Sequence, residues 1–174
     1  MKHLYFVRHG QTEANIGRIW SGTMETPLTA EGKAQAKRAG EHAKTLGIDH
    51  IICSPLGRAH NTAEIIASEI GYPLKKIERS SLFIERHFGS MEGQPWREDQ
   101  NIDGFIDHEA YETILERAQL ALQHLETLEA DVVLVVSHGS FGRALRHIIH
   151  PEIPYQQLAG EKDHLPNAEI LKFI

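Results

Sequence analysis

Four places in this sequence carry side chains that could do chemistry: Arg8-His9-Gly10, Arg58, Glu85 and His138-Gly139. Arginine offers a fixed fork of donors suited to phosphate oxygens. Histidine is a nucleophile or proton carrier near neutral pH. Glycine lets the backbone turn sharply and come close to a ligand. Phosphoryl transfer asks for this set. The transferring group spreads negative charge over its oxygens, so catalysis is mostly positioning and charge stabilisation. Arg8 and Arg58 would supply the positive charge. His9 would attack phosphorus through one neutral ring nitrogen, provided a backbone carbonyl holds the proton on the other. The two arginines disfavour imidazolium and keep His9 unprotonated. Glu85 is the candidate general acid for the departing alkoxide, and afterwards the base that activates water. Taken singly, each residue has a plainer reading: a surface carboxylate, a solvated helix arginine, a capping histidine. In this order, each at the boundary of an element, they point to one site.

The elements that must position these residues alternate along the chain. Lys2–Val7 reads as a strand. Thr29 is a plausible N-cap for a helix over Ala30–Leu46, with Gly47 just past its end. Small residues at 34, 36, 39 and 43 would let that helix lie close to a sheet. His50–Cys53 is a second strand. Ser54-Pro55 reads as N-cap and first helical residue of a helix to about Ile70. Leu74–Ile77 and Ser81–Ile84 read as extended. The polar, glycine-punctuated stretch from Glu85 to Asp107 is long for a connection, which suggests a functional segment. Apolar residues at helical spacing give an amphipathic helix over about His108–Glu129. Val132–Val136 reads as a central parallel strand buried on both faces. A helix from Gly139 to about Ile149 and an edge strand over Ala168–Ile174 follow. This pattern predicts a three-layer α/β/α sandwich on a mostly parallel sheet. The chain then forms one domain over residues 1–174, with a segment at about 86–108 covering the substrate. In a parallel sheet all strand C-termini lie on one edge, where ligands bind.

The chain has 174 residues, 41% hydrophobic and 24% charged, with a net charge of −6 and no basic run, which argues against nucleic acid as a partner. No apolar run approaches a membrane span, and no signal-like segment precedes the first strand. The expected location is the cytoplasm. The single cysteine, Cys53, cannot form an internal disulfide. Cys53 and Arg58 are spaced Cys-x4-Arg, one residue short of a phosphate-wrapping cysteine loop, so Cys53 reads as a small buried residue. The twelve histidines include no HExxH pair. His147 and His150 are three apart, but at a helix end they read as solvated, and no metal site is expected.

At these residues the chain resembles the histidine phosphatase superfamily, the phosphoglycerate-mutase-like enzymes whose signature is Arg-His-Gly. Leu4–Asn15 (LYFVRHGQTEAN) is similar to the family's N-terminal signature, and Gly17–Ala36 to the segment that follows. Ser54–Ile66 (SPLGRAHNTAEII) carries the second arginine, Glu85–Gly93 (ERHFGSMEG) the acid, and Val135–Gly139 (VVSHG) the second histidine. Pro166-Asn167-Ala168 resembles the turn into the last strand. The resemblance implies that His9 becomes a phosphohistidine, that Arg8, Arg58 and His138 hold the phosphate, and that Glu85 donates the proton. Asn15 matches a position that helps to bind phosphate, with Gln11 and Thr12 beside it. Gly22, Thr23 and Gly139 are further candidates for substrate contact. Neither cofactor nor metal is implied. The expected partners are a small phosphorylated metabolite and, as product, inorganic phosphate.

The family holds phosphatases, mutases and sugar-bisphosphatases. A non-catalytic phosphate-binding module is a further alternative, but such a descendant should lose the nucleophile or acid, and this chain retains both candidates. Between Gln94 and Glu116 this chain carries Glu98, Asp99, Asp103, Asp107, Glu109, Glu112 and Glu116 against Arg97 alone. Mutases of the family place several cations there, so the segment favours a phosphomonoester hydrolase of the small bacterial type. Most of these acids also fit a solvated helix face. The organic part of the substrate would be read by the loop Arg18–Met24 and by Arg86–His108, where Trp20, Met91, Trp96 and Phe105 offer apolar contacts.

Overall fold

The computed structural model describes residues 1–97, 107–155 and 165–174. Phe105, Glu98, Asp99 and Asp103 lie outside them, as does the middle of the expected covering segment.

Strand β1 (His3–Arg8) is followed by a single helical turn, α1 (Glu13–Ile16), and by α2 (Ala30–Ala43). Then come β2 (His50–Cys53), α3 (Gly57–Ile70), β3 (Glu78–Arg79), α4 (Tyr111–Thr127), β4 (Val132–Ser137), α5 (Gly139–Ile149) and β5 (Ile170–Lys172). The described strands form one sheet in the order β3-β2-β4-β1-β5. All neighbours are parallel except β5, which runs antiparallel to β1 at the edge. The expected architecture of a largely parallel sheet between two helical layers is the one observed.

The valine run explains why β4 sits in the middle. Successive side chains of a strand face opposite sides. Val133 and Val135 join Leu4, Phe6 and Ile52 under α4 and α5, where Ile114, Ala118, Leu125, Phe141 and Leu145 meet them. Leu134 and Val136 join Val7, Ile51 and Cys53 under α2 and α3, against Ala39, Ala43, Ala63 and Ile66. A strand that is apolar at every position has two cores to fill, and each buried valine contributes about 1.5–3 kcal/mol. The small residues of α2 serve helix packing as well. Gly40 lies so close to α3 that a Cβ on it would press on Glu69 and the Ile66 backbone.

Thr29 caps α2 by accepting from the Gly32 N–H, and Gly47 takes a φ of +68° after its last turn, both as expected. Other boundaries differ from the sequence reading. The helix α2 ends at Ala43, and a turn occupies the residues up to Gly47. Ser54 does not cap α3, which begins at Gly57 after Leu56. Its hydroxyl instead accepts from the Leu56 N–H at 3.2 Å, closing a tight turn before the helix. Leu74–Lys76 and Ser81–Phe83 are short 3-10 turns rather than extended segments. The intervening strand, β3, is only two residues long. His147 and His150 are not simply solvated: Nδ1 of the first bonds the Ile153 carbonyl and Nε2 of the second bonds the Phe173 carbonyl.

The register sets up the site. Arg8 pairs with Ser137 and Cys53 with Val136, so β1, β2 and β4 end nearly level. Cys53 also pairs with Arg79 on β3. Four parallel strands therefore deliver their next residues to one edge: His9, Ser54, the turn leading to Glu85, and His138.

Candidate active site

On that edge lies a cavity of about 360 Å³, within the range of small-molecule sites. Arg8, His9, Gln11, Asn15, Gly22, Arg58, Glu85 and Gly139 all line it. The candidates Arg8, His9, Arg58 and Glu85, far apart in sequence, thus share one cavity, whereas His138 is fully buried and does not line it.

His9 is 4% exposed and held on three sides. Its N–H donates to the Ser137 carbonyl on β4, and its own carbonyl accepts from the Asn167 side-chain amide at 2.8 Å. Its Nδ1 is 2.7 Å from the Gly10 carbonyl. A carbonyl only accepts, so Nδ1 carries the hydrogen. The Nε2 lone pair then faces Arg58, whose Nε–H donates to it at 3.1 Å. Burial, followed by the charges of Arg58 and Arg8, holds His9 well below the usual histidine pKa, against a smaller opposing effect of the Gly10 carbonyl. This neutral ring, with one nitrogen fixed by a backbone carbonyl, is the state a nitrogen nucleophile needs.

Arg58 is locked by the chain around it. Nη1 donates to the Met24 carbonyl and Nη2 to the Gly22 carbonyl, each at 2.7 Å. Gly22 takes a φ of +45° to present that carbonyl. Arg8 donates from Nη1 to the Leu165 carbonyl at 2.9 Å. Burial lowers the Arg8 guanidinium to about 10, opposed by Glu85, so it stays charged at neutral pH.

Glu85 is 9% exposed and sits at the N-terminus of α5. Oε1 accepts from the N–H groups of Arg86 (2.8 Å) and Phe141 (3.0 Å), and Oε2 from that of Ser140 at 3.2 Å. His138 is the N-cap residue of α5 by position, but its side chain makes no capping bond. The plain reading of His138 as a capping histidine fails, because the carboxylate of another segment does that work. His138 is fully buried, with its ring centroid 5.3 Å from that of His9 and at 62° to it. Burial comes first among the causes that hold it well below the usual histidine pKa, with Arg58, His9 and Arg8 adding to it.

The remaining sequence candidates divide. Asn15 lines the cavity and accepts from Asn167 at 3.3 Å. Gln11 lines it and is anchored by its N–H to Gln35. Thr12 is fully buried and closes a capping box with Asn15 on α1. Thr23 gives both its N–H and its hydroxyl to the Glu92 carboxylate. Neither threonine lines the cavity. Trp20 and Trp96 form part of the cavity wall, whereas Met91 packs behind with Trp20 and Phe88.

Sequence reasoning missed Arg143, Ser140 and Asn167, which line the cavity, whereas Arg18 and Phe88, also on its wall, fall in the two segments expected to read the substrate. Helical spacing from the start of α5 could have found Arg143, since positions 139, 140 and 143 share a face. Arg143 in fact donates to the Ser140 hydroxyl at 3.2 Å. Arg18 stacks 5.8 Å from the Trp96 ring centre. Among the described residues the cavity therefore has four arginines on its walls against one carboxylate, Glu85, within a chain of negative net charge.

Of the described acids after Gly93, Glu112 and Glu116 are exposed on α4, as a solvated helix face would be, whereas Asp107 and Glu109 are tied to neighbours. Asp107 accepts from the N–H and hydroxyl of Ser90. Glu109 pairs with Arg117 at 2.8 Å and accepts from the His87 N–H. Cys53 is fully buried, and burial pushes its thiol up to about 12. Among the described residues no group of three or more His, Cys, Asp or Glu side chains is arranged to hold a metal, and no helix is long and apolar enough to cross a membrane.

Comparison with known proteins identifies the family and the fold. A family model described as the histidine phosphatase superfamily (branch 1) matches residues 4–173. A probable phosphoglycerate mutase GpmB of Citrobacter koseri is 39% identical over 152 residues, covering 80% of this chain and 70% of that protein. Among solved structures, Bacillus stearothermophilus YhfR superposes with a TM-score of 0.82 at 26% identity, covering 99% of this chain and 90% of that one. A putative alpha-ribazole-5'-P phosphatase of Escherichia coli gives a TM-score of 0.74 at 26% identity, covering 85% of this chain and 79% of that one.

Proposed function

We propose that this chain, which belongs to the histidine phosphatase superfamily, hydrolyses the phosphate monoester of a small metabolite through a phosphohistidine on His9. The observation that carries the reading is the His9 ring: Nδ1–H bound to the Gly10 carbonyl and Nε2 turned to Arg58 in an arginine-lined cavity.

In the first step the Nε2 lone pair of His9 forms a bond to phosphorus while the P–O bond to the organic group breaks. Glu85, as the carboxylic acid, gives its proton to the departing oxygen. In the second step the Glu85 carboxylate takes a proton from water, the resulting hydroxide attacks phosphorus, and the P–N bond breaks. Inorganic phosphate leaves, and Glu85 is again protonated. Arg8 and Arg58 balance the charge on the phosphoryl oxygens throughout, and His138 donates to one of them. Arg58 exchanges its contact with Nε2 for a phosphate oxygen while the Gly22 and Met24 carbonyls keep it in place. Every proton and charge in this scheme is handled by side chains of the chain, so chelators should leave the rate unchanged. We place the enzyme in the cytoplasm, where the thiol of Cys53 stays reduced, acting as one domain with neither nucleic acid nor membrane as partner.

A second reading has its own support. Relatives named probable phosphoglycerate mutase share 39% identity with the chain, and Arg18 and Arg143 add cations to the cavity. Hydrolysis is favoured because, of the described arginines near the segment after Gly93, Arg117 is spent on Glu109 and on the carbonyls of Leu82 and Ile84, and Arg86 gives its Nε–H to the Glu109 carbonyl, which leaves Arg97 as the one exposed arginine there among the described residues. The deciding experiment compares phosphate release from a panel of monoesters with the interconversion of 3- and 2-phosphoglycerate in the presence of the bisphosphate primer. Rapid interconversion without phosphate release would overturn hydrolysis. Brief labelling should also trap an acid-labile, base-stable phosphoprotein that the variant His9→Ala lacks.

A further inference from the structure

Ser54 is fully buried at the end of β2, and its hydroxyl lies 2.7 Å from Nε2 of His138. A hydroxyl has one hydrogen to give and two lone pairs. One lone pair is occupied by the Leu56 N–H. Among the described residues, Nε2 of His138 is the one acceptor within reach of the Ser54 hydrogen. Nδ1 of His138, also buried, has no partner among the described residues. A buried hydroxyl hydrogen left without an acceptor costs about 1–3 kcal/mol, so the direction of this bond is not a free choice.

We propose that Ser54 is a positioning residue that sets the tautomer of His138, donating its hydroxyl hydrogen to Nε2 so that Nδ1 carries the hydrogen offered to the phosphate. The proposal rests on the phosphohistidine reading for its functional meaning, though not for its geometry. His138 stands beside the nucleophile, its ring centroid 5.3 Å from that of His9. With the opposite tautomer, Nδ1 would present a lone pair to a phosphate dianion. Burial and the nearby arginines keep His138 neutral, so the tautomer, and not protonation, decides which nitrogen donates. The two histidines are then set in the same tautomer by different means. His9 keeps its hydrogen on Nδ1 because a carbonyl accepts it, and His138 keeps its hydrogen on Nδ1 because a hydroxyl fills Nε2.

The test is nitrogen-15 NMR of the histidine rings in the full-length protein, with inorganic phosphate as the added ligand. In the wild type, His138 should show a protonated Nδ1, and phosphate should shift that hydrogen. In Ser54→Ala the hydrogen should move to Nε2, with kcat/KM for phosphate release falling by up to about 10²-fold, the low end for loss of one donor to transition-state charge. Ser54→Thr, which keeps the hydroxyl, should restore both tautomer and rate. A wild-type His138 protonated at Nε2, or a tautomer unchanged in Ser54→Ala, overturns the proposal. If Ser54→Ala does not fold, the wild-type spectrum and Ser54→Thr still decide it. A wild type with the expected tautomer that releases no phosphate from any monoester supports the Ser54 assignment and overturns the hydrolase reading instead.

Discussion

The Nε–H of Arg58 points at Nε2 of His9 from 3.1 Å, so the guanidinium that a phosphate would recruit already satisfies the lone pair that would attack phosphorus. The same arginine holds two carbonyls of the 22–24 loop. Lysine cannot reproduce three directed contacts from one planar group. Arg58→Lys should therefore lower kcat/KM by at least about 10²-fold, as for loss of a preorganised donor. Steady-state kinetics on a single good monoester substrate checks it; near-normal turnover in the lysine variant would contradict the assigned role.

Two buried histidines titrate abnormally, and this gives stability a pH dependence. His9 and His138 are both held well below their ordinary value of 6.5 in the folded protein. Between each lowered value and about 6.5 the unfolded chain binds more protons than the folded one, so stability rises with pH through that window. The stabilisation is fully present above about 6.5 and is lost as the pH falls below it toward the folded values. Urea unfolding at a series of pH values should show this acid loss, and His138→Asn should flatten it. An unchanged slope in that variant would remove His138 from the explanation.

Glu85→Gln separates two jobs of one side chain. As a proton donor, Glu85 matters most for poor leaving groups, so alkyl phosphates should slow far more than aryl phosphates. As the cap of α5, it accepts from the N–H groups of Ser140 and Phe141, and it also accepts from the N–H of Arg86. The amide replaces one acceptor by a donor facing the Ser140 N–H, which should cost about 1–3 kcal/mol in denaturant unfolding. Equal rate losses on both ester types would refute the acid role while leaving the capping role intact.

Cys53→Ala should keep full phosphatase activity. The thiol is fully buried and raised to about 12 by burial, so it holds almost no thiolate at neutral pH. Loss of the small side chain should cost stability by about 1 kcal/mol. Loss of turnover in a folded Cys53→Ala protein would revive a cysteine mechanism.

Gly10→Ala tests the close approach behind His9. A Cβ at Gly10 would collide with the Gly32 backbone at the start of α2, and a Cβ at Gly32 with Gln11. Overpacking of this kind costs about 1–3 kcal/mol. Because the Gly10 carbonyl fixes His9 Nδ1, turnover should fall with stability, as thermal melts and kinetics on the same preparation would show.

The strand ends, the two histidines, Arg8, Arg58 and Glu85 were legible because each follows an apolar run or opens a helix, so a local pattern marks it. Ser54 was misread for a physical reason: a serine before proline can cap a helix or bond across the sheet, and only β4 arriving alongside makes His138 available to it. Arg143 left no signal at a boundary, since it lies inside α5. The role of Glu109 was hidden because its partner Arg117 sits eight residues away on the next helix. Leu74–Lys76 looked extended since three residues cannot show a period, and its leading leucine is 47% exposed. Thr12 and Thr23 carry the right chemistry for phosphate, but α1 and Glu92 claim their hydroxyls first.

The strand order has a consequence for biosynthesis. Although β1 and β2 are consecutive strands in the chain, β4 lies between them. Until residues 132–137 leave the ribosome, these two strands share no neighbour, and nothing in the sheet holds His9 near Arg58. The Arg8 and His9 contacts to Leu165 and Asn167 close loops of 157 and 158 residues, which makes them late and entropically costly. A nascent chain can therefore carry His9, Arg58 and Glu85 for a time without the candidate site, which exists only once the sheet closes around them.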